Sequence, residues 1–242
     1  MKPEVQHATA AVEDRHWWFV GRRRIVDHWL QRLPARADRR ILEIGCGSGG
    51  NLAMLSRYGT VDAVDSEETP LAYARQRGGA TVQAGALPAD LPFAPGSFDL
   101  VVMLDVLEHV ADDGGSLRTA HGLLRPGGSL LLTVPAHRFL WSTHDEAHHH
   151  HRRYDRRQLR GRAVEAGFTV RYLGHFNSLL LPVVALVRLL DRGGSGSGGL
   201  GVPPVPLNRL LAGLLGAERH LMPACELPWG VSLLLVAHRD DG

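Results

Sequence analysis

Short apolar runs separated by helix-length stretches of mixed polarity occupy most of this chain. The runs lie near Arg40–Ile44, Val61–Val64, Thr81–Gln83, Phe98–Met103, Ser129–Val134, Phe168–Leu173 and Val231–Ala237. Between them the pattern predicts helices over Glu13–Leu33, Gly50–Tyr58, Thr69–Arg77, Gly115–Leu124 and Arg156–Ala166. Strands alternating with helices imply an α/β fold around a parallel sheet. Two stretches break the alternation. Residues 137–155 form a polar, histidine-rich segment after the fifth strand. Residues 177–228 separate the last two strands and hold two apolar, helix-like pieces, Leu179–Leu190 and Leu207–Leu215, around a Gly/Ser linker, Gly193–Gly201. That linker has the composition of a flexible coil.

Composition narrows the class. With 44% hydrophobic and 21% charged residues, the 242-residue chain suits one globular domain over 1–242. A formal charge of +2 gives no basic excess that calls for nucleic acid. Lys2 is the only lysine, so no catalytic lysine is expected elsewhere. Cys46 and Cys225 form neither a disulfide framework nor a metal-ligand spacing. The early charges Glu4, Glu13, Asp14 and Arg15 do not suit a signal peptide, and Pro182 and Arg188 interrupt the most apolar run. A cytoplasmic protein with no stable membrane insertion is the expectation.

The candidate chemistry starts at Ile41-Leu42-Glu43-Ile44-Gly45-Cys46-Gly47-Ser48-Gly49-Gly50-Asn51, a strand entering a glycine-rich turn and then a helix. Gly45 and Gly47 permit the turn and let a ligand approach the backbone. Alone this is ambiguous, because Gly45, Gly47 and Gly50 also satisfy a dinucleotide fingerprint, with Asp65 about twenty residues further on. A nicotinamide oxidoreductase is therefore one rival. The segments that follow discriminate: Ser97-Phe98-Asp99-Leu100-Val101, Leu104-Asp105-Val106-Leu107-Glu108-His109-Val110 and Leu124-Arg125-Pro126-Gly127-Gly128.

Over residues 38–136 this ordered set resembles the class I methyltransferases that use S-adenosylmethionine (SAM), particularly the group that includes quinone-biosynthesis methyltransferases. The resemblance implies a seven-stranded, mostly parallel Rossmann-like sheet flanked by helices, its last strand antiparallel, with a helical insertion between strands six and seven. It also implies SAM as methyl donor and S-adenosylhomocysteine as product. Glu43 and the turn Gly45, Cys46, Gly47 to Asn51 would hold the amino-acid end of SAM, and Asp65 both ribose hydroxyls. Ser66, Ala86 and Leu87 would border the adenine, with Leu104, Asp105 and Val106 beside the methionine moiety. His109 would lie near the methyl group. One departure is Gly85-Ala86, where the family usually shows Gly-Asp; the acceptor for the adenine amino group is missing unless Asp90 reaches in.

An N-terminal helix within residues 10–36 is expected to close over SAM, with Trp17, Trp18 or Arg22 contacting the cofactor; packing of the aromatics onto the sheet is the alternative. Residues 137–155 and 177–228 both leave carboxyl ends of strands, where ligands sit in such sheets, so both are expected to form the acceptor side. Four consecutive histidines, His148 to His151, cannot all face one ion, and no second ligand cluster is evident, so no metal is expected. A solvated loop and an acceptor-binding loop stay open for this segment. Similar Asp-Glu-x-His-His and Arg-Arg-Tyr stretches, together with His16-Trp17-Trp18-Phe19-x-Gly21-Arg22-Arg23, occur in a subgroup linked to polar or glycan-like natural products.

His109, His144 and His148 are candidate bases for an oxygen acceptor, while His144, Arg153 and Tyr154 are expected to bind the acceptor. The favoured reading is O-methylation of a natural product or a glycan- or lipid-linked intermediate. C- or N-methylation and a repurposed, non-methylating SAM fold remain as alternatives. The expected partner is a small molecule, and the apolar insertion reads as lid, homodimer interface or membrane-surface patch.

Overall fold

The computed structural model describes residues 3–190 and 201–240. Seven strands form one sheet in the order β3-β2-β1-β4-β5-β7-β6. They are β1 (Arg40–Ile44), β2 (Thr60–Asp65), β3 (Thr81–Ala84), β4 (Phe98–Leu104), β5 (Leu124–Pro135), β6 (Thr169–Phe176) and β7 (Ser232–His238). The pairs from β3 through β5 are parallel. β7 enters between β5 and β6 and runs antiparallel to both. Every residue of β4 is buried, as befits a central strand covered on both faces.

The pleat sends neighbouring residues to opposite cores. Ile41, Leu100, Val102 and Leu131 face one layer, with Ile25, Val26 and Leu30 of α2 (Trp17–Leu30), Leu52 and Leu55 of α3 (Leu52–Leu55), Leu71 of α4 (Glu68–Arg77) and Leu215 of α9 (Val205–Ala217). Leu42, Val101, Met103 and Leu132 face the other, with Leu117 and Ala120 of α5 (Asp113–Leu123) and Leu159 and Ala163 of α7 (Arg156–Glu165). α2 lies directly against α9. A Cβ at Gly21 would stand 2.6 Å from the Leu215 side chain, so glycine is what allows this approach.

Three predicted elements need correction. The helix expected over Glu13–Leu33 is α2 alone, because the His16 side chain accepts from the Trp18 amide and caps the helix there; a separate helix, α1 (Pro3–Val12), precedes it and is not among the predicted elements. The helix expected over Gly50–Tyr58 shrinks to the single turn of α3, since Arg57 and Tyr58 donate to carbonyls three residues back rather than four. The histidine-rich segment is not irregular throughout. It contains α6 (Thr143–Ala147), started by a capping box between Ser142 and Asp145, and returns to the sheet through a bridge from Tyr154 to Ala136.

In the second insertion, α8 (Leu181–Leu190) and α9 take up the two apolar pieces. The Gly/Ser stretch predicted as a linker falls, except for Gly201, outside the described residues. Val183, Leu186 and Val187 on α8 and Val205, Leu207 and Leu210 on α9 are exposed. Among the described residues, no helix is long and apolar enough to cross a membrane.

Candidate active site

The turn after β1 is built by steric exclusion. Gly45 (φ +71°) and Gly47 (φ +53°) both occupy the left-handed region. A Cβ at Gly45 would strike Val106 at 2.5 Å, whereas one at Gly47 would meet nothing within 4 Å. The turn is therefore braced from behind and open in front. Its amide at Gly47 donates to Asp65 Oδ2 (2.8 Å), and the Glu67 amide donates to Asp65 Oδ1 (3.0 Å). These bonds orient the carboxylate at the end of β2 and oppose the burial that raises its pKa.

Beneath the turn, Glu43 is fully buried and accepts from Asn51 Nδ2 at 2.8 Å. Burial pushes Glu43 up to about 7. Glu43 Oε2 and Asn51 Oδ1 are both buried without a hydrogen-bond partner. Two orphaned acceptors below an open backbone turn suit a ligand carrying an ammonium group, since a buried acceptor without a donor is costly.

The N-terminal helices close this region. Glu13 accepts from Ser48 Oγ (2.7 Å) and from Arg77 (2.8 Å), which fastens the α1–α2 junction to the glycine turn. Asn208 of α9 accepts from the Trp17 amide (2.9 Å) and donates to the Arg15 carbonyl (2.7 Å). Arg22 forms an ion pair with Asp105. Asp105 itself has φ +58°, uncommon outside glycine, and is held there by a bond from Thr133 Oγ1 (3.0 Å) and by its own amide on the Thr133 carbonyl (3.0 Å). Trp18 stacks on Phe176 (5.8 Å between ring centroids).

A cavity of about 490 Å³ opens over these carboxyl strand ends. Trp17, Arg22, Gly45, Cys46, Gly47, Asn51, Leu104 and Asp105 line it, and so do His109, His144 and His148. Its far wall is apolar, formed by Leu180, Val183, Val184 and Val187 from α8 and its approach, with Leu211 from α9. The ribose and adenine candidates Asp65, Ser66, Ala86 and Leu87 lie outside this cavity, as do Glu43 and Val106. Ser66 is exposed, and Ala86 and Leu87 are half-buried. Asp90 is exposed, and it is its backbone that pairs with Ala86.

The histidine run divides in two. His148 is buried and His150 half-buried, both on the cavity, while His149 and His151 point to solvent. His109 meets His150 edge-on at 4.6 Å, and His144 meets His148 at 4.1 Å. Burial, reinforced by the neighbouring imidazoles of His150 and His148, pulls His109 down to about 3, so it stays neutral. Burial lowers His148 as well. His150 Nδ1 lies 2.8 Å from Asp145 Oδ1. Because a carboxylate only accepts, Nδ1 donates in this bond and Nε2 is the ring nitrogen left available. His150 was absent from the sequence candidates; no spacing rule connects it to Asp145, and a four-histidine run does not reveal which rings turn inward.

Two acceptor candidates are placed differently from expectation. Tyr154 is buried with its hydroxyl donating to Asp113 (3.0 Å), and it does not line the cavity. Burial, and after it the neighbouring Asp113 carboxylate, raise its pKa, and its hydroxyl is engaged away from the cavity. Arg153 borders the cavity, but its guanidinium is spent on Asp145 (2.8 and 3.0 Å) and the Ala136 carbonyl (3.0 Å). The two partners of this pair are almost fully buried.

The sheet order, the glycine turn braced by Val106 and the orphaned acceptors beneath it define the class of Rossmann-like enzymes that bind SAM. A family model for methyltransferase domains matches residues 19–173, and the chain belongs to the SAM-dependent methyltransferases. The ubiquinone biosynthesis O-methyltransferase of Pseudomonas aeruginosa is 37% identical over 114 residues, covering 44% of this chain and 49% of its own length. The chain thus spans about half the length of the curated relatives it matches. A chain from the complex between the Haloferax volcanii Trm112 methyltransferase activator and a methyltransferase superposes with a TM-score of 0.64 at 21% identity, covering 97% of this chain and 95% of that one. Phosphoethanolamine N-methyltransferase 2 of Haemonchus contortus, solved with SAM, gives 0.60 at 19% identity, covering 87% and 51%. At these identities the two structures speak to the fold alone.

Proposed function

We propose that this enzyme methylates a hydroxyl of a small amphipathic acceptor, such as a natural product or a glycan- or lipid-linked intermediate. One observation carries the reading: a single cavity joins the glycine turn to an imidazole-lined wall on one side and an aliphatic wall on the other. Polar and apolar surfaces on one cavity suit a ligand with a polar reacting end and an apolar body. The O-methyltransferase relatives support oxygen as the accepting atom.

SAM supplies an electrophilic methyl group on a sulfonium. The chain's residues have the remaining tasks. Asp65 and the Gly45–Gly49 turn would hold the ribose and amino-acid portions, and the Arg22–Asp105 pair would fix the wall between donor and acceptor. The histidine wall would orient the hydroxyl and accept its proton, a role open to neutral imidazole near pH 7. Residues 137–155 and 177–228 would be the acceptor side.

The test is incubation with methyl-labelled SAM and alkylated phenols or glycolipid-like alcohols, followed by mass analysis. Labelled methyl ethers are the expected products. Val184→Trp, which fills the apolar wall, should raise the acceptor KM at least tenfold while leaving S-adenosylhomocysteine affinity within about threefold. Label appearing only on nitrogen or carbon would overturn the oxygen assignment.

A further inference from the structure

We propose that Glu108, His109 and His150 form a binding site for a first-row divalent metal ion of the zinc type, open to the acceptor cavity. One ligand atom from each of the three lies within 4.8 Å of the other two. Around a tetrahedral ion with bonds of about 2.0–2.1 Å, ligand atoms stand about 3.4 Å apart, so small side-chain movements bring the set together. All three residues line the cavity, which leaves the remaining coordination positions facing ligand space. Three protein ligands with an open position are the arrangement of catalytic rather than structural sites.

The second observation is Glu108 itself. It is 1% exposed, and neither carboxylate oxygen has a hydrogen-bond partner. A carboxyl group buried with both oxygens unsatisfied is costly unless a cation or donor meets it. Asp105 stands close enough to add negative potential, partly countered by Arg22. Support from behind is also in place. His150 Nδ1 is held by Asp145 (2.8 Å), and Arg153 grips both oxygens of Asp145. A carboxylate behind a histidine, presenting the other ring nitrogen forward, is the usual outer shell of a metal-bound imidazole. The backbone joins the two halves of the site, because the His151 amide donates to the Glu108 carbonyl at 2.8 Å.

The sequence argued against a metal because consecutive histidines cannot share one ion. The fold removes that objection: the run contributes one ligand, and the turn after β4 contributes two. One carboxylate with two imidazoles suits Zn²⁺, Fe²⁺, Co²⁺ or Mn²⁺. The ion's role rests on the hydroxyl-acceptor reading. A coordinated hydroxyl would lose its proton more readily to the remaining imidazoles of the wall; its oxygen would then bond to the methyl carbon as the carbon–sulfur bond breaks, the electron pair staying on sulfur as the thioether.

Binding is measured without reference to turnover. Chelator-stripped protein is titrated with ZnCl₂ by calorimetry and with CoCl₂ by visible absorption. One ion per chain is expected, with a Co²⁺ spectrum of mixed nitrogen and oxygen ligands. Glu108→Gln and His150→Ala should each weaken Zn²⁺ binding at least a hundredfold, while His151→Ala leaves it unchanged. S-adenosylhomocysteine affinity within about threefold of the unmodified protein certifies that each variant is folded. Absence of stoichiometric binding of either ion at 100-micromolar concentrations (about 10⁻⁴ M, weak for a dedicated site) overturns the proposal. Retention of tight binding in both ligand variants overturns it too. Methyl transfer by fully stripped protein removes the ion's role but leaves the methyltransferase reading intact, since that reading stands on label transfer.

Discussion

Glu43 shows how one buried side chain can make cofactor binding depend on pH. The folded chain holds its proton more tightly than the unfolded chain, because burial raises the carboxyl from 4.5 to about 7. Its contribution to stability without ligand is therefore fully present below the unfolded value and is lost as pH rises towards 7. If the ammonium of the cofactor reaches Glu43 through Asn51, it will favour the ionised carboxylate and reverse this preference. S-adenosylhomocysteine binding should then tighten by up to about tenfold per pH unit between pH 5 and 7, with release of about one proton at the acidic end. Calorimetry in buffers of different ionisation enthalpy measures that proton directly. Glu43→Gln should flatten the profile, and an unchanged slope in that variant would exclude Glu43 as its source. The sequence identified Glu43 by its place in the motif. It did not reveal that Asn51 satisfies only one of the two carboxylate oxygens, because that is set by side-chain placement and not by the motif.

At the scale of elements, the segment between β5 and α7 is fastened by two buried polar anchors. Asp145 and Arg153 tie α6 to the chain returning towards the sheet, and Tyr154 ties that chain to Asp113 at the start of α5. Removing one member of a buried ion pair leaves the other charge uncompensated. Arg153→Ala should lower unfolding free energy by about 3–5 kcal/mol. Tyr154→Phe removes a single hydrogen bond and should cost about 1–2 kcal/mol. Denaturant titration separates the two, and the Tyr154→Phe enzyme should retain its turnover per folded molecule. A greatly reduced turnover in fully folded Tyr154→Phe would return the hydroxyl to the catalytic machinery. Strand positions and the glycine turn were legible because period and motif are local signals. The anchors were not, because Arg153 and Tyr154 read identically in sequence whether they face a ligand, a carboxylate or solvent.

Across the whole molecule, the N-terminal helices are joined to the cofactor turn by few contacts of high value. Glu13 reaches Ser48 and Arg77, Arg22 reaches Asp105, and Asn208 of α9 holds the turn before α2. A ligand seated on the turn adds contacts to both sides and should slow local opening of the α1–α2 junction. Hydrogen exchange of residues 6–20 should fall at least tenfold with saturating S-adenosylhomocysteine, while β4 stays equally protected in both states. Equal exchange at the junction with and without ligand would separate these helices from cofactor binding. The sequence placed a covering helix here, but the break at His16 that lets Glu13 turn inward depends on a side-chain cap.

The position of β7 also bears on how the molecule is made. β5 and β6 are never neighbours; each pairs with β7, which follows them by more than fifty residues in the chain. During synthesis on the ribosome, the amino-terminal strands through β5 can assemble as they emerge, since their partners have already left the tunnel. β6 must wait. Until residues 232–238 arrive, one edge of β5 and all of β6 present unpaired amides and carbonyls, the surface by which strands recruit wrong partners. A nascent chain stalled before Ser232 would carry the complete glycine turn together with an open sheet, and would be a natural client for chaperones.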